Sequence, residues 1–168
     1  MKITALIFSL VFLASTACAQ SKEVETKYTD YGFAVTLPSD VTLAHEHATD
    51  GKDSTGAPTT EDNFTSKDND YMIVVVGYTK PLVATSKDLV PLVKALARDN
   101  KISEISADTQ DGQPCASALI TVKTDSGALL LVDIMVTIKG NRMFVVNYIR
   151  KFDSDFGGVL LFANFKML

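Results

Sequence analysis

The chain has 168 residues, 46% of them hydrophobic and 21% charged, with a formal net charge of −4 at neutral pH. That length fits one domain behind a short leader, and a chain of this size buries roughly 70% of its unfolded surface without needing a disulfide scaffold. The acidic balance excludes the counterion-releasing surface that nucleic acid requires and disfavours anionic membranes. Cationic groups, metals or a protein patch are left as partners.

Residues 1–19 read as a secretory signal peptide. Met1-Lys2 supplies a positive charge, and Ile3 to Ala14 is apolar except for Thr4 and Ser9. Ser15 to Ala19 is small throughout, with Ala17 and Ala19 in the spacing a leader peptidase cleaves. A membrane span would need about 20 continuous apolar residues, so no transmembrane segment is expected. The expected mature domain is 20–168, exported to the periplasm or the extracellular space. A lipid anchor at Cys18 is the alternative, but the leucine such acylation wants three residues earlier is Ser15. With Cys18 in the leader, Cys115 is unpaired. No basic group or histidine lies near it in sequence, so an inert, buried thiol is expected.

In the polar start of the domain, Val24, Thr26 and Tyr28 alternate with charged residues as in an edge strand. Asp30-Tyr31-Gly32 turns the chain. Phe33, Val35 and Leu37 form a second strand that Pro38 ends, completing a hairpin. The run Asp50 to Thr60 has too little apolar surface to order itself, which predicts a flexible polar insertion loop at about 48–62. Short strands are expected beside it, near Val41 to His45 and near Phe64. Tyr71 to Tyr78 is apolar on both faces and β-branched, as in a central strand.

Thr85 or Ser86 caps a helix with Asp88 in its first turn and Leu89, Val93, Leu96 and Ala97 inward. Pro91 would remove an interior backbone bond, so the spacing predicts a start nearer Val90. A strand over Ile102 to Ala107 and a loop over Asp111 to Pro114 follow. Three meander strands come next: Cys115 to Thr124, the strand carrying Leu130, Val132, Ile134, Val136 and Ile138 on one face, and Met143 to Ile149. Gly140-Asn141 makes the last tight turn. Asp153 or Ser154 caps a short C-terminal helix through Phe162.

This order resembles the PsbP-like α/β/α sandwich family, a fold shared with a photosystem extrinsic subunit, a yeast nuclear-import factor and small exported bacterial proteins. The residues that carry the resemblance are Tyr31-Gly32-Phe33-Ala34-Val35-Thr36-Leu37-Pro38, the helix at 86–100, Asp111-Gly112-Gln113-Pro114 leading into 116–124, and Phe162-Ala163-Asn164-Phe165. It implies an α+β chain: one α/β/α sandwich, mostly antiparallel, with one main helix and a short C-terminal helix. It also implies a non-enzymatic protein that docks onto another protein, and it carries over no binding residue.

His45-Glu46-His47 is the sharpest local feature. On a strand, residues i and i+2 face the same side, so both imidazoles reach one metal, with Asp50, or Asp53, Glu61 or Asp62, completing the shell. Zn²⁺ is the metal this chemistry suits. Ca²⁺ is the alternative for the wider acidic run from Asp40 to Asp70, although no EF-hand pattern is present. The plainer reading is two solvated histidines beside a charged loop. Asp133, inside an apolar strand, is either a buried carboxylate or a residue on the wetter face. Lys123, Lys139, Arg142, Arg150 and Lys151 cluster near the meander ends as a basic patch or as edge protection. No G-x-S-x-G, Walker loop, C-x-x-C or H-E-x-x-H occurs, so no catalytic residue is assigned. The expectation is an exported, non-enzymatic accessory protein that docks a protein partner. The alternative is a metal-binding protein using His45, His47 and acidic-loop carboxylates.

Overall fold

Most of the apolar runs alternate with period two, and the structure turns them into antiparallel strands. The computed structural model describes residues 22–151 and 164–168. A small sheet is built from β1 (Glu23–Tyr28), β2 (Phe33–Pro38) and β10 (Phe165–Met167), in the order β1-β2-β10. A large sheet is built from β3 (Leu43–Lys52), β4 (Pro58–Ser66), β5 (Tyr71–Tyr78), β6 (Lys101–Gln110), β7 (Gln113–Lys123), β8 (Leu129–Lys139) and β9 (Arg142–Lys151). Its order is β3-β4-β5-β9-β8-β7-β6. The main helix, α1 (Ser86–Ala97), packs on β6, β7 and β8.

Strand alternation assigns the side chains of the large sheet to two cores, one on each face. Ile73, Val75, Met135, Phe144 and Val146 face the small sheet. Ala118, Ile120, Ile134, Val136 and Val145 face α1. The result is an α+β sandwich of helix, large sheet and small sheet, as the chain order implied. The expected helix from Asp153 or Ser154 to Phe162 lies outside the described residues.

Aromatic rings hold the small sheet down. Phe33 is fully buried and stacks on Tyr28 at 4.7 Å and on Phe165 at 5.7 Å. It meets Phe64 and Phe144 edge-on at 5.1 and 6.3 Å. These offset and edge-to-face geometries suit the ring quadrupole. Gly32 sets up the strand that carries Phe33. Its φ of +77° follows the 3₁₀ turn Thr29–Tyr31, and a β-carbon there would sit 2.6 Å from Arg142 Nη1. Arg142 Nη2 in turn donates to the Asp30 carbonyl at 2.7 Å.

Two expectations are corrected and two open alternatives are decided. The polar stretch at 48–62 is strand rather than loop: it forms the distal halves of β3 and β4, paired Thr49↔Glu61 through Lys52↔Pro58, beyond a bulge between His47 and Thr49. Only 53–57 turns. The Asp53 carboxylate organises that turn by accepting from the Thr55 N–H, the Thr55 hydroxyl and the Ala57 N–H at 2.8, 2.7 and 3.0 Å. Secondly, α1 starts at Ser86 despite Pro91. The Asp88 carboxylate accepts from the Thr85 N–H at 2.7 Å, closing a capping box. Lys87, whose carbonyl loses its donor to the proline, is exposed to water.

Thirdly, the Asp133 face is not wet. Asp133 is 8% exposed beside buried Met135 and Thr137, and its Oδ2 accepts from Arg150 Nε at 3.3 Å. Finally, the basic residues of the meander form no single patch. Lys139 and Arg142 pair at the turn end of β8–β9. Lys123, Arg150 and Lys151 belong to the opposite end, about 30 Å away along strands of this length.

Phe33→Ala removes the ring shared by both sheets, and the expected loss is about 3–5 kcal/mol of unfolding free energy by chemical denaturation.

Candidate functional site

Two features remain after the core is accounted for: a histidine–carboxylate cluster on the β3–β4 hairpin, and an open apolar trough on the opposite face of the large sheet. In the first, the hairpin register sets His45 opposite Phe64 and His47 opposite Asp62. All four side chains therefore share one face. His45 stacks on Phe64 at 4.8 Å and leans on Tyr31 at 4.8 Å, anchoring it to the edge of the aromatic core. His45 Nε2 and His47 Nδ1 both hydrogen-bond Asp62 Oδ1, at 2.9 and 3.2 Å. His47 Nε2 lies 3.4 Å from Asp50 Oδ1.

The sequence-predicted residues His45, His47 and Asp50 are thus neighbours, and Asp62 joins them. Among the described residues no group of three or more His, Cys, Asp or Glu side chains is disposed to hold a metal ion. The arrangement is a hydrogen-bonded cluster in which one carboxylate oxygen serves two imidazoles. The other carboxylates of the acidic run are dispersed: Asp53 is occupied by its own turn, and Glu46 and Glu61 lie on the other face of the hairpin.

Electrostatics follow the geometry. The hydrogen bond to Asp62 raises the His47 pKa, outweighing the desolvation that lowers it. Burial pushes Asp62 up, but hydrogen bonds from His45 and His47 more than reverse this and hold its carboxyl below the usual range. Elsewhere, burial lifts the Cys115 thiol to about 11, with Asp108 adding to it. That leaves it a protonated, unreactive side chain at neutral pH, as expected from the sequence. Burial also raises Tyr71 to about 12, helped by the charge of, and a side-chain hydrogen bond with, the neighbouring Tyr148.

The trough lies on the α1 side. Among the described residues, the helix covers β6, β7 and β8, and no other described element lies on the same face of β9 and β5. Cross-strand pairs Met72↔Asn147, Val74↔Val145 and Val76↔Met143 pave this area. Two adjoining hollows of about 420 and 410 Å³ share Leu96, Met143 and Val145. One runs along Leu92 and Leu96, and the other opens past Ala97 toward Val132. Leu96, predicted to face inward, is 46% exposed because the stripe on the sheet is Leu89, Val93 and Ala97. Of the polar lining residues, Glu61 stands on β4, Arg98 and Asn100 lie just beyond α1, and Asn147 is part of the floor on β9.

Among solved structures, the chain is similar to the solution structure of cyanobacterial PsbP (CyanoP) from Synechocystis sp. PCC 6803. The likeness has a TM-score of 0.52 at 14% identity and covers 88% of this chain and 94% of that one. The fold is PsbP-like. A crystal structure from Bacteroides thetaiotaomicron VPI-5482 matches with a TM-score of 0.45 at 14% identity, over 82% of this chain, which spans 45% of that chain's length. No family model matches the sequence. No curated protein matches it. At this identity a PsbP-like likeness carries architecture and no residue roles. No described helix is long and apolar enough to cross a membrane.

The charge states of the hairpin cluster give it a pH signature. The raised His47 pKa makes its contribution to stability fully present below 6.5, its ordinary value, and lost as pH rises through the folded value. The lowered Asp62 pKa makes its contribution present above 3.8 and lost as pH falls through the folded value. NMR titration is expected to find His47 titrating above 6.5 in the native chain and returning toward it in Asp62→Asn.

Proposed function

We propose that the protein is an exported, non-enzymatic accessory protein that docks a protein partner through the uncovered face of its large sheet. The observation that carries this reading is the trough of aliphatic side chains beside α1. An apolar, concave, polar-rimmed surface of this kind on a water-exposed domain marks a binding site. Two further points support it. The sequence carries no catalytic motif, and the nucleophilic Cys115 is held protonated in the core. The leader-like sequence pattern of 1–19 supports export. The test is in-cell cross-linking of the tagged chain in its native host, with Leu96→Glu compared against Val83→Glu. Val83 is 98% exposed and away from the trough. Leu96→Glu is expected to abolish recovery of the partner while the native melting temperature is kept, and Val83→Glu to retain it. Equal recovery from both variants ends this reading.

The convergence of His45 and His47 on one Asp62 oxygen favours a second reading, a Zn²⁺ site at His45, His47 and the neighbouring carboxylates Asp62 and Asp50. An ion bound to the native state stabilises it, so saturating Zn²⁺ is expected to raise the melting temperature of the native chain and not that of the His45→Ala, His47→Ala double variant. An unchanged melting temperature in the native chain ends that reading.

A further inference from the structure

The trough specifies the chemistry of what fills it. Its floor is made by β5 and β9, which are interior strands: β5 is hydrogen-bonded to β4 and β9, and β9 to β5 and β8. Their backbone donors and acceptors are already used in ladders. An extended peptide laid on this floor would find no edge to pair with and would leave its own N–H and C=O groups without partners against aliphatic side chains. An occupant that satisfies its own backbone is an α-helix.

The dimensions agree. Neighbouring strands lie about 4.8 Å apart, so β9 and β5 offer a strip about 10 Å wide, the diameter of one helix. The flank of that strip is α1 itself, which presents Leu92 and Leu96, one turn apart and 42% and 46% exposed. A helix laid there would complete the layer that α1 begins.

Charge selects the kind of helix. On the side away from α1, Glu61 pairs with Val76 of the floor, and Glu46 pairs with Asn63, which pairs with Val74. The alternation therefore puts both carboxylates on the trough face. Arg98 is the charged side chain among the described lining residues at the α1 side. Two carboxylates on an acidic chain repel lipid phosphates and acidic helices, and attract lysine or arginine on an occupant's flank. We propose that the trough seats one amphipathic α-helix of a protein partner, its aliphatic stripe on β5 and β9 and its basic flank over Glu46 and Glu61. This rests on the docking reading above and names the partner's chemistry.

The probe is a dye-labelled peptide of about 18 residues, roughly 27 Å when helical, with leucine on one face and lysine on the other. A leucine/glutamate peptide of the same length is its counterpart. Each is titrated against the full chain by fluorescence anisotropy, and peptide helicity is followed by circular dichroism. The leucine/lysine peptide is expected to bind and become helical. Leu92→Glu and Leu96→Glu, although they add negative charge, are each expected to weaken it by at least about tenfold, and Val83→Glu to leave it unchanged. The double variant Glu46→Lys, Glu61→Lys is expected to prefer the leucine/glutamate peptide. Equal binding by Leu96→Glu and Val83→Glu overturns the proposal, because the peptide then sits elsewhere. So does a dimer in sedimentation that Leu96→Glu dissolves, which gives the trough to a second copy. Binding of phosphatidylglycerol vesicles that Leu96→Glu abolishes overturns it as well. Should partner recovery in cells depend on Leu96 while the leucine/lysine peptide fails to bind, the helical occupant falls and the docking reading stands.

Discussion

The structure depends on one ring. Phe33 lies where the small sheet meets the large one, and its contacts reach β1 through Tyr28, β4 through Phe64, β9 through Phe144 and β10 through Phe165. A short three-stranded sheet depends for its stability on the hydrophobic face it buries. This one is held because its central strand inserts an aromatic side chain into a socket of four others. Gly32 makes the insertion possible by turning the chain where a side chain would strike Arg142.

The two faces of the large sheet are covered by different means, with different consequences. The small sheet brings its own alternation to the interface, and its aromatic side chains close that side around a buried apolar core. Among the described residues, the twelve-residue helix α1 covers the other side and is too narrow for seven strands. The face is apolar along β9 and β5 as well as under α1, so the trough follows from a mismatch between apolar width and helical cover. The histidine cluster, on the same face as the aromatic core, is a property of the hairpin edge: His45 is packed by Phe64 and Tyr31, and the carboxylate of Asp62 ties His47 to it.

The meander was legible from the chain because β7, β8 and β9 alternate without interruption, and Gly140-Asn141 marks the turn between β8 and β9. The β3–β4 hairpin was hidden by its composition. An edge pair needs apolar residues only where it touches the core, at Leu43 and Phe64, and its outer half reads as a polar run. The start of α1 was obscured because a proline rule was weighed without the Thr85–Asp88 capping box that offsets it. The i, i+2 spacing of His45 and His47 showed that they share a face. That Asp62 is their partner depends on strand register, which a bulge between His47 and Thr49 shifts by one residue. The trough left no mark in the periodicity, since alternation tells which side chains face a helix layer but not how many strands one helix reaches. Leu96 fell on the wrong side of that line.

The pairing of β10 with β2 joins Phe165 to Val35 and Met167 to Phe33 across most of the chain's length. Contacts of such long sequence separation form late, after the loop they close has been made. A nascent chain emerging from its N-terminal end therefore carries β2 with one ladder unfilled until residue 167 has been synthesised, by which time every other strand has been made. The small sheet is incomplete until that residue has been made.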